Sequence, residues 1–146
     1  MRHWRAGIFL AAAVGLGETA VSIRLVDIAR ESGLTLRNTS GGKDKKTYIF
    51  ETTGNGVAIF DYDGDGANDV LITNGTRLEG PVKGDPQTVQ LYRNNGHGKF
   101  TDVSREAGFT FEGWAQGVCV GDYNNDGRPD VLITYYGQNR LYKNLG

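Results

Sequence analysis

The sequence predicts an all-β protein. Its 146 residues include 22 glycines and 3 prolines, a balance typical of a chain with many tight turns. Short runs rich in Val, Ile, Leu and Tyr alternate with clusters of Gly, Asn and Asp, which is the pattern of strands separated by turns. Most of the chain also repeats itself, so we expect a fold built from similar units.

The first 17 residues predict a secretory signal peptide. A basic start, M-R-H-W-R, is followed by roughly a dozen apolar or small residues, which is the usual pattern of such a signal. The run is short for a bilayer span, which needs about 20 residues. Cleavage is expected after residue 17, with positions up to Ala20 left open; a buried N-terminal helix or a lipid-embedded anchor is the alternative. The mature protein is therefore expected to be secreted, extracellular or periplasmic, without a stable membrane span.

Three sequence elements recur in the same order along residues 25–146. Residues 50–71 align without a gap with residues 111–132, at an offset of 61 (111 − 50). The sequence L-Y-R-N-N-G at 91–96 recurs as L-Y-K-N-L-G at 141–146, and L-V-D-I-A-R-E-S-G-L-T-L at 25–36 recurs as F-T-D-V-S-R-E-A-G-F-T-F at 100–111. This ordered recurrence indicates tandem repeats of one structural unit.

Each repeat is expected to form a four-stranded antiparallel unit. In the first unit, about residues 57–103, the predicted strands are Val57–Phe60, Val70–Thr73, Val89–Arg93 and Phe100–Val103. The second unit, about residues 118–142, predicts three strands, and a fourth-strand sequence at Leu25–Ile28 precedes both. Such units bury both faces when they stack radially, so the sequence predicts a partial β-propeller of about two blades with exposed edges and faces. A β-sandwich containing two similar hairpins is the alternative.

The loop D-Y-D-G-D-G-A-N-D at residues 61–69 carries four carboxylates within nine residues. Four such groups form six repelling pairs, each costing about 1 kcal/mol at 4 Å in bulk water. The loop D-Y-N-N-D-G-R-P-D at residues 122–130 repeats the pattern. Oxygen-bearing residues at positions 1, 3, 5 and 9, with glycine at position 6 and a carbonyl available at position 7, follow the logic of calcium loops. We therefore expect a cation in each loop.

Both loops differ from an EF-hand, because position 12 is Ile72 or Ile133 instead of glutamate. Neither loop contains His or Cys, so the oxygen donors favour Ca²⁺ over zinc or copper, and Mg²⁺ stays open. Asn124 leaves the second loop with one carboxylate fewer, so we expect weaker binding there. The alternative interpretation is that Asp, Asn and Gly are simply good turn residues.

These sequences resemble the FG-GAP-like (VCBS) repeats, on the basis of G-V-A-I-F-D-Y-D-G-D-G-A-N-D-V-L-I, L-Y-R-N-N-G-H-G-K-F-T-D-V and S-R-E-A-G-F. They are most similar to the repeats at the N-terminus of secreted proteins of the cartilage-acidic-protein/ASPIC-UnbV type. The resemblance implies propeller blades with two interstrand Ca²⁺ sites. The ligands that it implies are Asp61, Asp63, Asp65, Asp69 and the carbonyl of Ala67 in the first loop, and Asp122, Asn124, Asp126, Asp130 and the carbonyl of Arg128 in the second.

The expected function is that of a secreted calcium-binding module that contacts an extracellular protein or glycan. A net charge of −1 gives no basic footprint for nucleic acid. The alternative is a catalytic or non-catalytic part of a carbohydrate-active enzyme, but His97 in N-G-H-G is expected to be an exposed turn residue, and no catalytic residue is assigned. Trp114 and Tyr135–Tyr136 are unrepeated aromatics, which serve either a sugar platform or ordinary packing.

Three further features carry expectations of their own. Cys119, in the apolar run G-V-C-V-G, is expected to be buried. Asn38 and Asn74 begin short matches to the glycosylation sequence N-x-S/T. The insertion at residues 77–87 lengthens one loop of the first unit and is either a partner-specific region or a neutral surface insertion.

Overall fold

The fold consists of two antiparallel sheets, seen in a computed structural model that describes residues 22–42, 44–79 and 89–146. The first sheet has four strands in the order β1-β2-β3-β4, and the second has three in the order β5-β6-β7. The strands are β1 (Val57–Phe60), β2 (Asp69–Thr73), β3 (Val89–Asn94), β4 (Phe100–Asp102), β5 (Ala115–Gly121), β6 (Asp130–Tyr135) and β7 (Arg140–Tyr142). The prediction of an all-β protein is confirmed, and the predicted strand ends in the first unit agree to within one residue.

Two short helical segments precede the sheets: α1 (Ala29–Ser32) and a 3₁₀ turn at Ile49–Thr52. In the described part of the chain no helix has the length and apolar character needed to cross a membrane. The predicted signal peptide at residues 1–17 and most of the insertion at residues 77–87 lie outside the described residues.

The strand predicted at Leu25–Ile28 does not form; this stretch is exposed, and α1 follows it directly. The prediction was wrong because a strand needs a hydrogen-bonded neighbour, and no described strand lies beside these residues. The sequence similarity that prompted it is nevertheless structural, because residues 27–34 fold into the same turn as residues 102–109. We call these two segments the acid-capped turns.

The two acid-capped turns share their hydrogen bonds position by position. The carboxylate of Asp27 accepts from the backbone N–H of Ala29 at 3.0 Å, as Asp102 does from Ser104 at 3.0 Å. The glycine near the end of each turn, Gly33 or Gly108, has a φ of 94° or 86°, which glycine adopts without steric cost. Each turn is closed by three equivalent backbone bonds, Ser32–Ile28, Gly33–Arg30 and Leu34–Ala29 in the first, Ala107–Val103, Gly108–Arg105 and Phe109–Ser104 in the second.

The core lies between the sheets and uses opposite faces of the repeated unit. From the first sheet it takes the face with Ala58, Leu71 and Leu91, which are aligned across three strands. From the second sheet it takes the face with Val131 and Ile133. The equivalents of Leu71 and Leu91 in the second sheet are Leu132 and Leu141, which face away from the core and are exposed.

Cys119 lies on that same outward face, aligned with Leu132, and is exposed. The expectation of a buried thiol was wrong, because alternation along a strand sends successive side chains to opposite faces. Val118 and Val120 on either side of Cys119 take the core positions instead.

The sheets are joined at one end by a close backbone approach. The N–H of Gly56 donates to the carbonyl of Gln116 at 2.5 Å, and the hydroxyl of Thr73 donates to the same carbonyl at 2.6 Å. A Cβ on Gly56 would lie 2.9 Å from that oxygen, so this position requires glycine. Gly56, just before β1, and Thr73, at the end of β2, therefore mark where the two sheets meet.

Candidate metal centre

The first acidic loop connects β1 to β2 and is organised around Asp61. Its Oδ1 accepts from the backbone N–H groups of Gly64 at 2.8 Å and Asp65 at 3.2 Å, and its Oδ2 accepts from Gly66 at 2.8 Å. Gly64 and Gly66 have φ values of 76° and 86°, a backbone region that glycine enters freely. The glycines therefore allow the loop to curl around one carboxylate.

This curl brings three of the predicted ligands together. Asp61, Asp63 and Asp65 each offer an oxygen, and these oxygens lie within 4.8 Å of one another. No hydrogen bond among the described residues holds the side chain of Asp63, which is exposed. Three carboxylates at this separation repel one another, and hard oxygen donors suit Ca²⁺ or Mg²⁺. The donor set therefore fits the expected cation, and this cluster could hold a metal ion.

Asp69 is not one of the three residues of that cluster. It is fully buried, and its Oδ2 accepts from the N–H of Tyr62 at 2.9 Å while its Oδ1 accepts from the N–H of Asn94 at 2.7 Å. Burial raises the pKa of Asp69 above its usual range, although both hydrogen bonds act in the opposite direction. Asp69 thus closes the loop and ties it to β3; its part as a metal ligand stays a prediction.

The second loop, between β5 and β6, repeats these backbone contacts. Asp122 accepts from the N–H groups of Asp126 at 3.0 Å and Gly127 at 2.7 Å. Asp130 is buried and accepts from Tyr123 at 3.2 Å and from Asn144 at 2.7 Å. The scaffold of the first loop is therefore present twice.

The charge in the second loop is balanced differently. The carboxylate of Asp126 accepts from the amide of Asn124 at 2.9 Å and lies 3.4 Å from the guanidinium of Arg128 and 3.5 Å from the ammonium of Lys143. The hydrogen bond from Asn124, followed by the contacts with Arg128 and Lys143, lowers the pKa of Asp126. Side chains of the protein itself therefore already compensate the negative charge of Asp126.

Formal charges summarise the difference between the loops. Residues 61–69 hold four Asp and no cationic residue, a total of −4, whereas residues 122–130 hold three Asp and Arg128, −3 + 1 = −2. The predicted carbonyl ligands belong to Ala67 and Arg128, whose backbone N–H groups donate to Asp65 at 2.8 Å and to Asp126 at 3.1 Å.

Sequence reasoning missed Asn94 and Asn144, which support the loops. Besides its backbone bond to Asp69, Asn94 donates its side-chain amide to the carbonyl of Asn68 at 2.9 Å. The amide of Asn144 reaches the carbonyl of Tyr62 at 2.8 Å, so a residue after β7 in the second sheet holds the first loop. The sequence does contain a signal for this role, because both asparagines occupy the same position of the repeated sequences L-Y-R-N and L-Y-K-N.

The unrepeated aromatics divide into two groups. Trp114 and Tyr135 are buried in or beside the core, which agrees with the packing interpretation. Tyr136 is exposed and belongs to a row of stacked rings in which Phe50 lies between Tyr48, at 5.4 Å, and Tyr136, at 5.5 Å. His97 is exposed in the turn between β3 and β4, as expected.

The two glycosylation matches also differ. Asn38 is exposed, whereas Asn74 is fully buried, accepts from the N–H of Thr39 at 2.6 Å and donates to the carbonyl of Arg37 at 3.3 Å. Asn74 therefore ties the segment before the sheets to the end of β2, and in the folded chain its amide is inaccessible to a modifying enzyme.

Two antiparallel sheets built from one repeated unit, with an acidic loop between the first two strands of each, define an all-β repeat protein. A family model for the FG-GAP-like repeat matches residues 61–133, which is 73 of the 146 residues, so the chain belongs to this family. These repeats indicate a β-propeller-like module. No curated protein matches the chain.

Proposed function

We propose that this protein is an exported, calcium-stabilised interaction module that contacts an extracellular protein or glycan. The observation that carries the proposal is the convergence of Asp61, Asp63 and Asp65, whose ligand oxygens lie within 4.8 Å of one another. Such a cluster is stabilised by a divalent cation, and a flexible oxygen cage suits Ca²⁺ better than the stricter octahedron of Mg²⁺. The second loop is proposed as a weaker Ca²⁺ site.

The ion is proposed to be structural. The first loop contacts both sheets, since Asp69 reaches β3 and Tyr62 accepts from Asn144. An ion that binds the folded state but not the unfolded state stabilises the fold, by an amount that rises with the logarithm of the ion concentration. Because the first loop contacts both sheets, an ion bound there would also stabilise the junction between them. Extracellular calcium modules commonly have Kd values of about 10⁻⁴–10⁻³ M, which suits a permanent ion outside the cell.

We propose radial stacking of the sheets, as in a propeller. The two sheets touch through opposite faces of the same unit, because Leu71 is buried while its equivalent Leu132 is exposed. In a sandwich of two equivalent sheets related by a two-fold axis, both sheets would bury the same face of the repeated unit. Similarity to the cartilage-acidic-protein/ASPIC-UnbV type, and export directed by residues 1–17, belong to the same proposal and rest on the sequence.

The row Tyr48, Phe50 and Tyr136 supports an interaction role. Exposed aromatic faces bind sugars and protein side chains through their apolar area and a polar tip, and Tyr136 is 65% exposed. The enzymatic alternative requires a catalytic group apart from the metal ligands, and we assign none among the described residues. We therefore propose binding without catalysis.

The experiment is thermal unfolding with Ca²⁺, with Mg²⁺ and with EGTA. The expected result is a Tm that falls in EGTA and recovers with Ca²⁺ more than with Mg²⁺. Asp63→Asn should abolish most of this shift, whereas Asp102→Asn, an exposed Asp outside the loops, should leave it in place. An unchanged Tm in EGTA, together with no calorimetric Ca²⁺ binding, would contradict the proposal.

Ligand binding is tested separately on a glycan array and by capture of extracellular proteins. Binding that is lost both in EGTA and in Tyr136→Ala supports the proposed surface. Depolymerase activity that persists in EGTA would instead favour the enzymatic alternative.

A further inference from the structure

We propose that Asn95 is a site of covalent modification, at which the backbone nitrogen of Gly96 attacks the side-chain amide and the residue is converted to aspartate or isoaspartate. The chain contains three Asn-Gly pairs, at residues 55–56, 74–75 and 95–96. Glycine in the second position permits this reaction, because no side chain shields its backbone nitrogen. Of the three pairs, the last alone has surroundings that allow it. The modification involves no bound ion, so it goes beyond the proposed calcium-dependent function.

The reaction needs no reagent besides water. The nitrogen of Gly96 loses its proton and attacks Cγ of Asn95, the C–N bond of the side-chain amide breaks, and the amide nitrogen takes up that proton and leaves as ammonia. The product is a succinimide ring that contains the backbone nitrogen of Gly96. Water then opens the ring at either carbonyl. Opening at the side-chain carbonyl gives aspartate, and opening at the main-chain carbonyl gives isoaspartate, in which Cβ has entered the backbone.

Free space around the glycine distinguishes the three pairs. The attacking nitrogen must approach the side chain before it, so the backbone at the glycine has to rotate. Asn95 and Gly96 are both exposed, and a Cβ on Gly96 would meet nothing within 4 Å. A Cβ on Gly56 or Gly75 would lie 2.9 Å or 2.7 Å from a backbone carbonyl oxygen. Of the three glycines, Gly96 is therefore the one that can move without displacing a neighbour.

Hydrogen bonds hold the other two pairs in place. The N–H of Gly56 donates to the carbonyl of Gln116 at 2.5 Å and to the hydroxyl of Thr73 at 2.7 Å, so this nitrogen is part of the junction between the sheets. Asn74 is fully buried, and its side chain is bound to two backbone groups of the segment before the sheets. In the folded chain, modification of either pair therefore requires local unfolding at the end where the sheets meet.

The turn around Asn95 also polarises the carbonyl that is attacked. Oδ1 of Asn95 accepts from the backbone N–H groups of His97 at 2.9 Å and Lys99 at 3.2 Å. Negative charge develops on this oxygen when the nitrogen attacks Cγ, and N–H donors directed at such an oxygen stabilise the transition state. The contacts that shape the turn between β3 and β4 thus favour loss of the amide. Asn74 has one such donor, but its burial prevents the attack.

Isoaspartate at this position would weaken a support of the first acidic loop. The N–H of Gly96 donates to Oδ1 of Asn94 at 3.0 Å in an exposed contact, which opens when the nitrogen attacks. The amide of the same Asn94 side chain donates to the carbonyl of Asn68 in the loop. The longer backbone of isoaspartate would displace Gly96 from Asn94 and strain the 2.9 Å bond from the N–H of Asn95 to the carbonyl of Lys99. Aspartate leaves the backbone unchanged, so it should leave these contacts in place.

The test follows peptide masses while the folded 146-residue chain is incubated below its Tm at mildly alkaline pH, with Ca²⁺ and with EGTA. Trypsin cleaves after Arg93 and Lys99, so residues 94–99 are released as one peptide. Exchange of the amide NH₂ for OH raises the mass of this peptide, and fragmentation by electron transfer identifies isoaspartate at position 95. The expected result is a mass gain at Asn95 in both solutions, while the peptides that contain Asn55 and Asn74 keep their mass.

Two matched comparisons separate the fold from the sequence and the backbone from the charge. In urea, where the chain is unfolded, all three asparagines should be modified at similar rates. Asn95→Asp keeps an acceptor for His97 and Lys99 but has no amide to lose, so its turn peptide should gain no mass and its Tm in EGTA should equal that of the fresh chain. The isoaspartate form, separated by ion exchange, should melt below both.

A turn that stays unmodified when the chain in urea has reacted at all three sites would overturn the inference. Modification of Asn55 or Asn74 in the folded chain as fast as that of Asn95 would overturn it too. An isoaspartate form that melts with the fresh chain would overturn the effect on the loop. A Tm that does not depend on Ca²⁺ would contradict the proposed function alone, because the mass gain at Asn95 is expected with and without the ion.

Discussion

The buried carboxylate of Asp69 accepts the backbone N–H of Asn94 at 2.7 Å. Asp130 and Asn144 make the same contact at the same distance in the second repeat. Each pair links the end of an acidic loop to the end of the third strand of its repeat, since Asn94 is the last residue of β3 and Asn144 lies two residues after β7. The last Asp of each loop therefore has a structural role that does not depend on a bound ion.

This relationship predicts that Asp69 matters for stability even without calcium. In Asp69→Asn the amide would turn an NH₂ group toward one of two N–H donors, so a buried donor loses its acceptor at a cost of about 1–3 kcal/mol. The matched control is Asp63→Asn, whose exposed side chain should cost less than about 0.5 kcal/mol. Urea unfolding in EGTA measures both, and equal losses would contradict the separation of the two roles.

The second loop should bind Ca²⁺ more tightly once its internal compensation is removed. Asn124→Asp adds a carboxylate, and Arg128→Ala removes the guanidinium near Asp126. For exposed charges each change should be worth about 0.5–1 kcal/mol, or a twofold to fivefold lower Kd. Calorimetry in an Asp63→Asn background isolates this loop, with Arg105→Ala as the control for loss of a distant positive charge. A Kd that stays constant in both variants would show that charge does not limit this site.

The pKa of Asp126 should depend on its contacts with Asn124, Arg128 and Lys143. Its hydrogen bond from Asn124 and the nearby cations lower the pKa of Asp126, so Asn124→Ala should raise it toward the ordinary value. The pKa of Asp126 is lower in the folded state than in the unfolded state. Ionised Asp126 therefore stabilises the fold at pH values above its unfolded-state pKa, and this contribution is lost as the pH falls through the lowered pKa of the folded state. An NMR titration without metal measures the shift; a pKa that does not rise would contradict the assignment.

Gly56 should be intolerant of a side chain, unlike its near neighbour Gly54. A Cβ at Gly56 would meet the carbonyl of Gln116 at 2.9 Å and the backbone nitrogen of Val118 at 3.0 Å, whereas nothing lies within 4 Å of one at Gly54. Gly56→Ala should therefore cost about 1–3 kcal/mol, as overpacking does, and Gly54→Ala should be neutral or slightly stabilising. Chemical denaturation of the two variants decides, and equal stabilities would mean that the sheets approach less closely than described.

The sequence by itself determined the local features of this protein. Strand alternation, turn glycines and the repeat offset act over a few residues, so β1 to β3 and both acidic loops could be placed, and Asp61, Asp63 and Asp65 were correctly expected to come together. The conformation of the first loop could be predicted from Gly64 and Gly66, because the curl that these glycines permit depends only on the backbone of the loop itself.

The tertiary structure decided everything that depends on which surfaces meet. Cys119 is exposed although its neighbours are apolar, since its side of the second sheet lies away from the core. Asn74 is buried although it lies in a loop, since the segment before the sheets covers it. Leu25–Ile28 carries a strand sequence but remains unpaired within the described residues, because a strand is defined by a neighbour that its own sequence cannot supply. Burial and pairing are long-range properties, and only the packing of the two sheets could assign them.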